Sequence, residues 1–145
     1  MSELKYGIAW NDEFKLGYEQ VDEQHKRLFE LLNTLVSQCI DGSNADKLKE
    51  TLDFLVDYTV HHFYDEESLQ VQFMFPDYKR HKKLHDDFKE TVTSLVRRFT
   101  ESGSSEILSS DVNRIIVRWL VGHIRQEDKK IGDHIRKVTA RTVSA

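Results

Sequence analysis

The stretch LDFLVDYTVHHFYDEESLQVQF, residues 52–73, carries the pattern on which the fold turns. Leu52, Leu55, Thr59, His62, Glu66, Leu69 and Phe73 advance by alternating steps of three and four, and residues so spaced share one face of a helix with about 3.6 residues per turn. That face is mostly apolar and belongs against a core, yet it carries a histidine and a glutamate four residues apart. Side chains at that spacing reach the same point in space. Next to the face, His61 is rotated by about 100° from His62, and Asp65 falls on the register of Tyr58 and Gln72, towards solvent. Neither is expected to join whatever His62 and Glu66 hold.

The same test finds three further stripes. Val21, His25, Leu28, Leu32, Leu35 and Cys39 form one, widened by Phe29 and Val36. Tyr78, His81, His85, Phe88, Val92, Leu95 and Phe99 form another, and Val112, Ile116, Trp119 and His123 the last. The stripe of the quoted stretch extends back to Leu48. Every stripe contains a histidine. Gly42, Ser43 and Asn44 separate the first two helices, with Ser43 or Asn44 as N-cap. Phe75, Pro76 and Asp77 break the chain before the third, and a loop from Glu101 to Ser105 containing Gly103 precedes the fourth. Short connections of this kind predict an all-α, up-down-up-down antiparallel four-helix bundle. An N-terminal arm (residues 1–18, with Trp10) should drape over it, and a short C-terminal helix should follow Asp128, all within a single domain, residues 1–145.

Composition agrees. The 145 residues are 39% hydrophobic and 32% charged, with six Gly and one Pro, the balance of a helical globular domain. A net charge of -4 argues against general nucleic-acid binding. The locally basic KKIGDHIRKVTAR, residues 129–141, reads as a solvated helix end. The opening MSELKYGIAW has no leader pattern, and the longest apolar run, IIVRWLV, is broken by Arg118. A cytoplasmic protein with no membrane contact is expected. Cys39, the single cysteine, cannot form an intramolecular disulfide and reads as buried filler.

In the expected topology His25, His62, Glu66, His81, His85 and His123 all fall near the same end of the bundle. Burying so many polar groups without partners would cost several kcal/mol each at worst, and a metal supplies the missing partner. Asp128, five residues beyond His123, would lie about 140° off its face in a regular helix. The helix must end or distort there for both to bind. Five imidazoles and two carboxylates are too many for one structural zinc, so two metals fit better. The mixed donors admit iron, manganese, zinc or copper.

The segments VDEQHKRLF around His25, YTVHHFYDEE around His62 and Glu66, HKKLH at His81 and His85, and WLVGHIRQED through His123 and Asp128, together with Trp10 and Gly17, resemble the hemerythrins, particularly the bacterial ones. The resemblance covers nearly the whole chain. It implies two iron ions joined by a solvent-derived oxygen in a non-heme di-iron centre that binds O2 reversibly. By that resemblance His81, His85 and His123 hold one iron, His25 and His62 the other, and Glu66 and Asp128 bridge. O2 binds at the iron of His25 and His62, in an apolar pocket whose matching positions are Leu28, Phe63, Phe88, Trp119 and Ile124.

Oxygen carriage, storage or delivery is the expected role. An O2- or redox-sensing domain of a signalling system is the alternative, with an unidentified protein as recipient of oxygen or signal. A histidine-rich donor set differs from the four-carboxylate set of ferritin-like bundles, and no residue outside it is placed as acid, base or nucleophile. Binding is therefore expected rather than catalysis. One position departs from the family: Gln70 stands where methionine is common, four residues after Glu66. It reads as an exposed or rim residue; the sharper reading makes it a polar amide beside the iron pair that hastens oxidation.

Overall fold

The computed structural model describes residues 8–41, 45–102 and 110–144. A single 3-10 turn, Asp12–Phe14, lies in the N-terminal arm. Three long helices follow: α1 (Glu19–Asp41), α2 (Ala45–Gln72) and α3 (Tyr78–Ser102). The next, α4, spans residues 110–128 and passes without a break into α5 (Lys129–Ser144). The four main helices form the up-down-up-down bundle, and the C-terminal helix expected after Asp128 is present, sixteen residues long. No helix among the described residues is long and apolar enough to cross a membrane. The caps expected at Ser43 and Asn44, and the loop at Gly103, lie outside the described residues.

Two of the helix ends show how local chemistry sets the geometry. Asp22, buried in the first turn of α1, accepts backbone hydrogen bonds from Leu16 (2.8 Å) and Gly17 (3.1 Å). This ties the arm to the helix, and Gly17 takes a φ of 96° to make the turn. At the far end of α2 the chain reverses through Met74 at φ 54°. The Phe75 N–H donates to the Gln70 carbonyl (2.9 Å) and the Met74 N–H to that of Val71 (3.1 Å), which is a Schellman closure with a methionine where glycine is usual. Phe75 is thereby folded back into the core, and Pro76 ends the reversal. Gly132 of α5 is needed for a different reason: a Cβ there would stand 2.5 Å from the Leu16 carbonyl oxygen.

Apolar packing divides into clusters whose arrangement positions the polar residues. The largest joins Leu28, Leu32 and Leu35 of α1, Leu48, Leu52, Leu55 and Phe63 of α2, Phe88, Val92, Leu95 and Phe99 of α3, and Val112, Ile116 and Leu120 of α4. A second closes the end of the bundle with Leu16, Val21, Leu69, Phe75, Ile131 and Ile135. Along the chain most of the buried polar residues fall between these clusters: His25 between Val21 and Leu28, Glu66 between Phe63 and Leu69, His81 and His85 between Phe75 and Phe88, His123 and Asp128 between Leu120 and Ile131, while His62 borders the main cluster at Phe63. The polar layer is thus sealed by apolar residues above and below. A third cluster pins the arm, where Phe14, Phe29 and Ile124 pack with Ile8, Trp10 and Val121.

Leu120 is absent from the stripe read in the sequence, yet it is 1% exposed, while its neighbour Trp119 is half-buried. Leu120 stands four residues after Ile116 and three before His123, so it shares their buried face, which the step of three to Trp119 passes over; a π stretch at Asn113–Val117 precedes it. Cys39, expected as buried filler, is half-buried against the main cluster.

Candidate metal centre

All seven sequence-predicted donors are brought together. Glu66, His81, His85, His123 and Asp128 form one group and His25, His62, Glu66 and Asp128 another, and within each group the donor atoms lie inside 4.8 Å of one another. The two carboxylates belong to both groups. Each of the seven residues is buried.

Asp128 reaches its place through a distortion of α4. Residues Ile124–Asp128 form a second π stretch, and in a π turn residues five apart occupy the same face. His123 and Asp128, which a regular helix would splay, therefore point at one spot: His123 Nε2 is 3.0 Å from Asp128 Oδ1.

The Nε2 atoms all turn inward. His25 and His62 meet at 3.1 Å, and His123 lies 3.0 Å from both His81 and His85. Glu66 Oε1 is 3.0 Å from His81 and 3.2 Å from His85, while its Oε2 faces His62 at 3.2 Å. Asp128 Oδ2 is 3.1 Å from His25. The charge balance is strained in a telling way. Burial pushes His25 and His81 down, but the Asp128 and Glu66 carboxylates reverse this and carry them up to about 9 and about 10. Burial pushes Glu66 up, and its histidine partners more than reverse this, holding it well below the usual carboxylate range. Two buried anions ringed by imidazole nitrogens that crowd each other at contact distance call for a cation between them, and the donor set fits a metal.

The outer nitrogens are held differently around the layer. His85 Nδ1 donates to Glu67 Oε2 (2.8 Å). His62 Nδ1 donates to the Gln24 amide oxygen (2.6 Å), and the Gln24 amide nitrogen donates to Asp65 Oδ2 (2.9 Å). Asp65, expected towards solvent, is therefore half-buried; its register on α2 is flanking, and the Gln24 side chain of α1 lies across it. Sequence periodicity had no signal for Gln24, because a polar residue on the flank of a stripe looks like any solvated one. His25 Nδ1 and His81 Nδ1 have no partner among the described residues.

Gln70 is the clearest correction. Expected at the rim, it is 0% exposed, and neither its amide oxygen nor its nitrogen has a partner among the described residues. It lies four residues after Glu66, on nearly the same face, and the refolded Phe75 with Ile131 and Ile135 closes that end of the bundle. A stripe counted from one helix does not register such cover.

On the opposite side of the layer the walls are aromatic. Phe63 stacks on the His85 ring (centroids 3.8 Å apart, 4° between planes), and Trp119 stacks on His123 (4.3 Å, 10°) and on Phe88 (3.9 Å, 12°). Leu28 is completely buried beside them. A cavity of about 30 Å³ lies beyond, lined by residues that include Leu55, Thr59, Phe88, Val92 and Ile116. Ile124 is buried with Phe14 and Phe29 in the arm cluster.

Comparison with known proteins identifies the family. The family model described as hemerythrin HHE cation binding domain matches residues 16–135, which takes in all seven donors. The chain belongs to the hemerythrin family. A bacteriohemerythrin of Stenotrophomonas maltophilia (strain R551-3) is 32% identical over 130 residues, covering 89% of this chain and 82% of that protein. A hemerythrin-like protein of Naegleria gruberi is 37% identical over 121 residues, covering 83% and 87%. A crystal structure of wild-type hemerythrin superposes with a TM-score of 0.77 at 29% identity, over 87% of this chain and 95% of that one. The hemerythrin bundle is thus shared over most of the chain, with the His, Glu and Asp cluster at its closed end.

Proposed function

We propose that this hemerythrin-family chain holds two iron ions in the buried layer and binds O2 reversibly, the step that oxygen carriage, storage and delivery share with oxygen sensing. One observation carries the reading: five inward-turned imidazoles and two carboxylates form two donor groups that share both carboxylates. In this assignment His81, His85 and His123 would hold one iron and His25 and His62 the other, with Glu66 and Asp128 available to both. The group with two histidines offers fewer protein donors, so an iron held there would have room for a small molecule. When bound, the iron pair supplies the electrons that make O2 binding possible. The protein's part is to exclude water and protons from that position, and Leu28, Phe63, Phe88 and Trp119 do so with apolar and aromatic surface.

Metal analysis together with visible spectroscopy tests the proposal. About two irons per chain are expected, with a charge-transfer band that appears on adding O2 and disappears under vacuum. Finding one zinc per chain and no such band would overturn it.

A further inference from the structure

The two donor groups are backed unequally, and the difference is traceable atom by atom. Asp65 Oδ2 lies 2.9 Å from one end of the Gln24 amide. An ionised carboxylate only accepts, so that end of the amide is its NH2. The other end, the carbonyl oxygen, then faces His62 Nδ1 at 2.6 Å. A carbonyl oxygen also only accepts, so the proton of that bond sits on His62 Nδ1. His62 Nε2 is left with its lone pair, turned into the layer 3.2 Å from Glu66 Oε2 and 3.1 Å from His25 Nε2.

We propose that Gln24, locked by Asp65, is a positioning residue that fixes the tautomer of His62 and presents its Nε2 to the centre as a neutral-backed ligand; this rests on the metal assignment proposed above. His85 is the counterpart, with its Nδ1 on the Glu67 carboxylate at 2.8 Å. A carboxylate behind an imidazole makes it a stronger donor and favours the more oxidised metal, whereas an amide orients the ring without adding that charge. The group of His25 and His62 is thereby kept the easier of the two to hold reduced. His61 Nε2 is 3.4 Å from the same Asp65 oxygen, but it stands on the exposed side and its contact is the weaker one.

The test compares the iron-loaded wild type with Gln24→Leu, Gln24→Glu, Asp65→Asn and His61→Ala, reading iron per chain, the rate at which a chelator removes it, and the midpoint potential. Gln24→Leu should release one of its two irons about 10-fold faster than wild type while keeping the other. Asp65→Asn should show a smaller change in the same direction, because an asparagine can meet either end of the amide. Gln24→Glu should lower the potential by placing a carboxylate behind His62, and it should not restore full retention, because a carboxylate has no hydrogen to donate to Asp65; His61→Ala should match wild type. Release of both irons from Gln24→Leu at the wild-type rate, or an unchanged potential in Gln24→Glu, overturns the inference. Should Gln24→Leu fail to fold, Gln24→Glu and Asp65→Asn still decide it. A wild-type protein that takes up no iron sinks the underlying metal assignment instead.

Discussion

The two sides of the polar layer are built on opposite principles. Towards the main cluster, Phe63 lies flat on His85 and Trp119 flat on His123, so the imidazoles are covered by rings and the space beyond is apolar. Towards the closed end, Gln70 presents an amide with no partner, and His25 and His81 have outer nitrogens with none, among the described residues. Both sides are largely shut off from solvent, with only Trp119 partly exposed. Burial therefore does not distinguish them; the density of unmet hydrogen-bonding demand does. A wall of rings asks for no hydrogen bond, whereas a buried amide costs stability until something polar meets it.

Removing the layer itself abolishes the contrast and should have the largest effect: His62→Ala should lose iron from the group of His25 and His62, read as a fall in iron per chain. Opening the dry side comes next. Phe63→Ala, at a position 1% exposed, should cost about 3–5 kcal/mol and lower Tm by roughly 10 °C. It should also shorten the life of the oxygenated form by admitting water, which stopped-flow spectroscopy would follow. Making the polar side dry is gentler and has the opposite sign. Gln70→Met removes the unpartnered amide and should raise stability by about 1–2 kcal/mol, with a longer-lived oxygenated form; an unchanged lifetime would show that Gln70 does not reach the centre. His61→Ala lies outside both sides and should leave iron content and Tm where they are.

Much of this was legible in the sequence because the donors share a heptad with leucines. His62 and Glu66 stand in line with Leu55 and Leu69, and His81 and His85 with Phe88, so the rule that places the core places them. Asp128 was legible only as a contradiction, a residue needed at the centre but on the wrong face of a regular helix. What resolves it is a backbone hydrogen-bond pattern that no side-chain periodicity encodes. Gln70 and Gln24 were misread or missed for a related reason. Each sits at the edge of its own stripe, and its surroundings are decided by another element: the closed end of the bundle for Gln70, Asp65 of α2 for Gln24. Periodicity reports the face of one helix and is silent about what a neighbour lays across its margin.

The π stretch at Ile124–Asp128 also gives α4 a reading frame. It behaves as a one-residue insertion absorbed without leaving the helix, so His123 and Asp128 stay in phase although five positions separate them. Excising the exposed Gln126 should let the segment relax to an ordinary α-turn with His and Asp at i, i+4, still on one face. Such a chain should keep its iron, whereas one lengthened by a residue there should lose it, and metal content of the two length variants would tell them apart. In this helix a change of length is a rotation, and the centre tolerates it in one direction only.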